Sequence, residues 1–440
     1  MPSSSTITPE ANAAPEHRGG SATPIKRDIT CPHCWARFLT GDIRWVAQHE
    51  DLRGDAMLGP EAMRRFLPTR FDVAGNALDA RGSVCRELAC PSCHLPISRG
   101  LLEANQLYFS LIGVPGSGKS YFTAAMTWRL RTLMPEAFGV TFSDLDVAGN
   151  QTLLENEQTL FLNPGEPDRL VSIEKTQMQG ANYDPVHRGG QTVQLPRPFQ
   201  FILTPTVKPA PHEAAPPRVI NLYDNAGEHF LPGADNTLNP GTQHLARANA
   251  LMFLFDPLQD ARFRSAIAAQ SDDPQIAQPS SEVRQDSVLN EACARLRRYA
   301  DLSPTAKFDQ PLLILLAKAD AWAGLVDGVD LSEEPVLGEL NHDTRGGRVD
   351  LELVEDTSRR LRDWLQAIAP EFVALAEGLH KHVVYLPVSA LGGAPVRSED
   401  TGLLMVRPGT LSPRWVAAPV LYALAKWSRN GLHETGSGTV

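Results

Sequence analysis

The sequence predicts an α/β fold, a mostly parallel sheet with helices on both faces, preceded by a small zinc-ribbon module. Three observations carry this. An apolar strand runs directly into a glycine-rich loop and a helix over 107–131. Further apolar runs of strand length recur at 199–205, 218–223, 250–256, 311–317 and 383–391, and stretches of helical period separate the later ones, the pattern of strands alternating with helices. Two C-P-x-C pairs stand upstream of all of them.

Composition bounds the rest. A chain of 440 residues can bury a large core in one to three domains. The boundaries expected are a disordered leader over 1–28, the zinc-ribbon module over 29–100, the main α/β domain with insertions over 101–430, and a disordered tail over 431–440. The net charge of -10 gives no general electrostatic reason to bind nucleic acid. No apolar run approaches the roughly 20 residues of a membrane span, and the first residues lack the apolar core of a secretion signal. A cytoplasmic protein is expected, in which paired cysteines point to metal rather than to disulfides.

In chain order, 1–27 is rich in Ser, Pro, Ala, Gly and Thr without periodicity, a composition that does not pack. Cys31-Pro32-His33-Cys34 and Cys90-Pro91-Ser92-Cys93 each have the form of a knuckle that turns two thiolates to one side. Together they offer Cys31, Cys34, Cys90 and Cys93 as the four ligands of a closed, structural zinc site. A thiol-redox motif at Cys31–Cys34, or unrelated cysteines, are the alternatives; Cys85 and His94 are reserve ligands. Residues 35–89 separate the knuckles, far more than the roughly 15–20 of a short ribbon. The insertion carries Trp45, Leu52, Met57, Phe66, Leu67 and Phe71, enough for a small subdomain or a cover.

The loop Gly113-Val114-Pro115-Gly116-Ser117-Gly118-Lys119-Ser120 fits G-x-x-x-x-G-K-[ST], and Tyr121 follows it. Its glycines let successive backbone N–H groups approach an anion, and the helix that begins there adds the positive end of its dipole. Lys119 is positioned to reach the β- and γ-phosphates of a nucleotide and Ser120 to ligate Mg²⁺. Phe122, Met126, Leu130 and Leu133 give the helix its apolar face. Residues 134–198 read as a long polar loop. The strands at 199–205 and 218–223 form a pair joined by a proline-rich hairpin loop.

The second of them ends in Asp224-Asn225-Ala226-Gly227-Glu228, a D-x-x-G match. A carboxylate there can hold a Mg²⁺-bound water, and the glycine N–H can donate to a γ-phosphate oxygen. The strand at 250–256 is apolar throughout. A polar stretch at 270–285 reads as disordered, and a helix follows over 285–300 on Val288, Leu289, Ala292, Leu296 and Tyr299, with Cys293 read as core or surface. The strand at 311–317 ends in Ala317-Lys318-Ala319-Asp320. Helical period runs through 353–378 (Leu353, Leu361, Trp364, Leu365, Ile368, Phe372, Leu375). The strand at 383–391 ends in Ser389-Ala390-Leu391, and a last helix fits 415–428.

In order and in context at strand ends, these motifs resemble those of the translation-factor-related (TRAFAC, Ras-like) P-loop GTPases over roughly residues 105–430. The resemblance implies GTP and Mg²⁺ as ligands. Asp320 would accept two hydrogen bonds from guanine, the Lys318 stem would lie over the base, and the backbone at Ser389, Ala390 and Leu391 would contact its carbonyl oxygen. Ala317 departs from the [NT]-K-x-D pattern and lacks the side-chain bonds that tie this turn to the phosphate loop. The resemblance also implies a threonine that closes over Mg²⁺: Thr176 is the first candidate and Thr192 the second. Catalysis would rest on Lys119, Asp224, Gly227, Glu228 and Thr176, with Mg²⁺ held by Ser120, Asp224 and Thr176. Glu228 stands where Gln or His commonly positions water, and its charge near the γ-phosphate implies slow hydrolysis, raised by an arginine from a protein partner. A zinc module fused directly before such a domain is similar to zinc-ribbon double-GTPase families of predicted bacterial conflict systems, which implies a switch that gates an effector. An ATPase motor or chaperone-like NTPase, and a non-hydrolysing nucleotide-binding scaffold, are the alternatives.

Overall fold

The computed structural model describes residues 25–427 apart from 163–164, 174–182, 207–215, 225–229, 231–241, 278–282, 304 and 338–346. Its centre is a seven-stranded sheet. The strands are β1 (Asn105–Gly113), β2 (Val140–Asp144), β3 (Phe199–Pro205), β4 (Arg218–Asp224), β5 (Ala250–Phe255), β6 (Leu312–Leu316) and β7 (Val383–Pro387). Their spatial order is β2-β3-β4-β1-β5-β6-β7. β4, β1, β5, β6 and β7 run parallel, while β3 pairs antiparallel with both β2 and β4. β1 therefore lies inside the sheet where the chain turns from one half to the other, the place where open α/β sheets bind ligands beyond their carboxyl ends.

The parallel strands are buried on both faces, so they read as continuous apolar runs, and alternate residues feed two separate cores. Leu111, Met252, Leu254, Leu313, Leu315 and Leu386 face one side. There they meet α1 (Lys119–Phe138), α2 (Gln151–Phe161) and α7 (Ala418–Trp427). Ile112, Phe253, Phe255, Ile314, Leu316 and Tyr385 face the other. They meet α3 (Ala261–Ile267), α4 (Gln285–Ala300) and α6 (Pro370–Leu379). The helix α5 (Leu351–Ile368) contributes Val354 to the first core and Leu361 and Leu365 to the second.

Four expectations are corrected. Residues 134–198 are not one polar loop: they hold β2, α2 and a hairpin of Tyr183–Arg188 with Gln191–Pro196. In α2 only Leu153, Glu157 and Leu160 are buried. The charged Glu157 takes a core position because it accepts from Thr127 at 2.6 Å and Arg131 at 3.0 Å, and that breaks the apolar period. The helical stretch 353–378 is two helices, since Pro370 cannot donate and drives Ala369 to φ -132° and ψ 61°. In the polar segment at 270–285, expected to be disordered, residues 274–277 form a turn beside the buried Asp273. The leader is shorter than 28 residues: Lys26 N–H donates to the Leu102 carbonyl at 2.8 Å, and Asp28 opens a strand. The rest of the expected leader and the expected tail lie outside the described residues.

Residues 35–89 form short strands, three of which (Arg44–Val46, Arg65–Phe66 and Leu88–Ala89) join Pro96–Ile97 in a four-stranded sheet. The cysteine module shares one core with the 183–196 hairpin and β4, through Leu101, Val186, Leu195 and Val219. Trp35 fixes this docking. Its indole N–H donates to the Tyr223 hydroxyl at 3.1 Å, and that hydroxyl donates to the Pro32 carbonyl inside the first knuckle. Trp35 is 6% exposed, so Trp35→Ala is expected to lower stability by roughly 3–5 kcal/mol in chemical denaturation, the range for deleting a buried large aromatic. A loss below about 1 kcal/mol would mean that the module does not depend on this contact.

Candidate functional site

Beyond the carboxyl ends of β1, β5, β6 and β7 lies a cavity of about 510 Å³. Its walls include the 115–121 segment, Lys318, Asp320, Ala390 and Leu391. Residues separated by some 270 positions in the chain thus face one space, because the register of parallel strands brings their ends level.

The loop is shaped by steric demands. A Cβ on Gly113 would stand 2.9 Å from the Leu254 carbonyl oxygen, so the close approach of β1 to β5 excludes any side chain there. Gly118 caps α1 at φ 93°, a conformation suited to glycine, and no side chain caps this helix N-terminus. The first turn therefore borders the cavity in the arrangement that stabilises an anion. Lys119 is 7% exposed and donates to the Gly113 and Val114 carbonyls at 2.9 and 3.0 Å. The Ser117 hydroxyl closes the loop on Val114 at 2.9 Å. Ser120 and Tyr121 line the wall, and the Tyr121 hydroxyl accepts from Ile173 N–H at 3.3 Å.

At the other end, Lys318 adopts φ 56° and its ammonium pairs with Asp256. Asp320 accepts a hydrogen bond from the Ser389 hydroxyl, which accepts in turn from Gly392 N–H at 2.8 Å. Burial pushes the Asp320 carboxyl above its ordinary value, against the Ser389 hydrogen bond and the Lys318 charge. Ser389 is buried behind Asp320 and does not line the cavity; Ala390 and Leu391 do.

The expected catalytic set is only partly in view. Asp224 ends β4, buried and level with Leu111 of β1, and it is not among the cavity walls. Gly227, Glu228 and Thr176 lie outside the described residues. Thr192 sits on the hairpin beside the cysteine module, where its hydroxyl meets His187 Nδ1 at 2.9 Å. Several wall residues had no motif to reveal them, among them Ser172, Ile173, Asp273, Gln275 and, from the 393–406 stretch, Leu403 and Leu404. Burial raises the Asp273 carboxyl above its ordinary value, against hydrogen bonds from Gln275 and the charge of Lys318; the charge of Asp320 adds to the rise.

The four knuckle sulfurs lie within 4.8 Å of one another. Cys31 and Cys93 Sγ are 3.8 Å apart, and Cys34 and Cys90 Sγ are 3.7 Å apart. Four thiolates about 2.3 Å from a common tetrahedral centre would stand about 3.8 Å apart, so the set fits zinc. The two knuckles repeat one geometry. Trp35 and His94 both adopt positive φ, both donate their N–H to the first cysteine's carbonyl at 3.0 Å, and His33 and Ser92 N–H donate to Cys31 and Cys90 Sγ. Such N–H···S bonds hold thiolates. Cys85 is outside this cluster, bonded to the Ser83 carbonyl, and His94 turns Nδ1 to Asp55 at 2.8 Å.

No family model matches the chain, and no curated protein does. Among solved structures, it is similar to sup35 complexed with GDP (12% identity, TM-score 0.22) and to sup35 complexed with GMPPNP (13%, 0.23), covering 67% of this chain and 40% of theirs in each case. It is also similar to the signal recognition particle receptor SRb-GTP/SRX complex from Chaetomium thermophilum, at 16% identity and TM-score 0.23, over 66% of this chain and 93% of that one. These likenesses are too slight for an argument to rest on them. Among the described residues, no helix is long and apolar enough to cross a membrane.

The purified chain is expected to carry a single tightly held zinc ion, measured by elemental analysis. Cys90→Ser should lose it and lower the midpoint of thermal unfolding; retention of zinc in that variant would exclude a four-cysteine site.

Proposed function

We propose that the protein is a GTP-binding regulatory switch with slow, Mg²⁺-dependent hydrolysis, built on a zinc-stabilised module. The observation that supports this most is the shared cavity, whose walls include both a phosphate-type loop and the Lys318–Asp320 turn. In this reading the 113–119 backbone and the Lys119 ammonium bind the phosphates. Lys119 exchanges its bonds to the Gly113 and Val114 carbonyls for phosphate oxygens. The Asp320 carboxylate accepts from the guanine ring N–H and exocyclic amine, a donor pair that adenine lacks. Ser120 and Asp224 would hold Mg²⁺, whose chemistry is to offset charge on the phosphates. Water attacks the γ-phosphorus in line. A glutamate at position 228, where the resemblance implies a water-positioning residue, would keep the step slow until a partner supplies an arginine. A role in a bacterial conflict-type system is proposed from the order of the two modules alone.

Calorimetric titration of the zinc-loaded protein with GTP, GDP and ATP tests the reading. GTP and GDP are expected to bind at least tenfold more tightly than ATP. Lys119→Ala should abolish binding, Asp320→Asn should erase the preference for guanine, and single-turnover hydrolysis should be slow without a partner. Equal affinity for ATP would favour a motor or chaperone-like NTPase instead.

Acidification provides a second check. Because burial raises the Asp320 pKa, its ionised, hydrogen-bond-accepting form is lost at a higher pH than in an exposed aspartate. GTP affinity is therefore expected to fall on acidification, starting above the usual carboxylate range, and GTP binding below that point should release protons. Asp273, whose carboxyl is also raised, titrates beside it, so the comparison of Asp320→Asn with Asp273→Asn assigns the fall. A pH-independent affinity down to the ordinary carboxylate range would remove Asp320 as the base reader.

A further inference from the structure

The phosphate loop and the Lys318–Asp320 turn belong to different strands, and Ala317 has only a methyl group with which to join them. A chain of polar side chains joins them instead. The Lys318 ammonium pairs with the carboxylate of Asp256, which follows β5 and is 0% exposed. Asp256 Oδ2 also accepts from the Gln259 amide at 3.1 Å, and the same amide nitrogen donates to the Pro115 carbonyl of the phosphate loop at 3.3 Å. Asp256 is itself fixed: Oδ1 accepts from Leu258 N–H at 3.0 Å. Its backbone makes reciprocal hydrogen bonds with the Gln285 amide, at 2.8 Å through N–H and 2.9 Å through the carbonyl. The Gln259 amide lies close enough to the loop that a Cβ on Gly116 would be 3.6 Å from its nitrogen.

Neither Asp256 nor Gln259 lines the cavity, so neither is placed to touch a ligand. We infer that Asp256 and Gln259 are positioning residues that hold the two ends of the site at one separation, so that phosphates and base are gripped together. This rests on the proposed nucleotide reading. An ion pair to a fully buried carboxylate leaves little freedom of geometry, because displacing the Lys318 ammonium strands the Asp256 charge in low dielectric. Gln259 passes that fixity to the loop. A site whose halves are already spaced loses less freedom when the ligand arrives, and the gain falls mainly on the rate of release.

The test is the dissociation rate of a fluorescent GDP analogue from the full, zinc-loaded chain. Gln259→Ala is expected to release it roughly tenfold faster, the loss typical of a hydrogen bond to a buried charged group. Gln259→Glu, nearly isosteric but unable to donate when ionised, should release it at least as fast. Gln259→Lys, which keeps donors for both the Asp256 carboxylate and the Pro115 carbonyl, should stay within about threefold of the native chain. Zinc content and the number of sites per chain should remain as in the native chain, which a merely destabilised fold would not do. Release at the native rate from both Gln259→Ala and Gln259→Glu overturns the inference and leaves the nucleotide reading standing, as does release from Gln259→Lys as fast as from Gln259→Ala. A native chain that binds no guanine nucleotide overturns both.

Discussion

The cavity exists because β1 is hydrogen-bonded on both sides. Its register aligns Leu111 with Asp224 of β4 and Gly113 with Leu254 of β5. The pairing then passes outward, from Phe255 to Leu316 and from Leu316 to Pro387. Each carboxyl-end turn is placed by its neighbour, back to one strand. Because residues alternate between two cores, a slip of one position in β1 would exchange Leu111 with Ile112 and expose both faces to the wrong packing. The burial of these strands fixes the site to within the play of a packed core. Gly113 is the tightest point, since β1 and β5 approach too closely there for a side chain.

The second constraint is the Tyr223 hydroxyl. Tyr223 is 1% exposed, and a buried phenol needs partners for its oxygen and its proton. Both come from the first knuckle, the Trp35 indole N–H and the Pro32 carbonyl. On its other side the Tyr223 ring stacks on His244 with centroids 4.4 Å apart, and His244 Nδ1 meets Ser110 Oγ of β1 at 2.7 Å. The cysteine module thus bears on the residue that directly precedes Asp224. A zinc ion that fixes the Pro32 turn would also fix where β4 ends, which gives a structural module 191 residues upstream a physical reason to be fused to this sheet.

How much of this could be read from the chain depended on whether a residue's role was local. The G-x-x-x-x-G-K-S stretch, the two C-P-x-C pairs and the apolar strands were legible, because loop geometry, knuckle geometry and double-sided burial each leave a short pattern. The helix α4 was legible in its bounds, since Val288, Leu289, Ala292, Cys293 and Leu296 bury an apolar face at helical period, although Gln285 and Arg295 are buried with them. The helix α2 was not, because buried Glu157 is satisfied by Arg131 and Thr127 from another helix. Pro370 was a visible break that the surrounding apolar period concealed. The hairpin at 183–196 turns at Gly189-Gly190, both at positive φ, a recognisable signal set among strands with few buried residues. Asp256, Gln259 and Asp273 left no pattern, because what gives each its place at the site is remote in the chain: Lys318 for Asp256, Pro115 for Gln259 and the shared cavity for Asp273.

The charges at this end of the cavity bear on what it can hold. Lys318 is committed to Asp256, and burial raises both Asp273 and Asp320. Two wall carboxylates are thus held where ionisation is disfavoured, one supported by the Ser389 hydroxyl and the other by Gln275. An apolar or acceptor-bearing ligand would worsen that desolvation, and an anion at this end would add like charge to it. A neutral ring with adjacent N–H donors would relieve it, since each donor favours the ionised carboxylate. The loop end has the opposite polarity, with the Lys119 ammonium and the start of α1 suited to negative charge. A molecule matching both ends must be anionic at one extremity and a neutral hydrogen-bond donor at the other. On the proposed reading a guanine nucleotide would meet that description with a ring N–H and an adjacent amine, where an adenine nucleotide would offer its exocyclic amine alone.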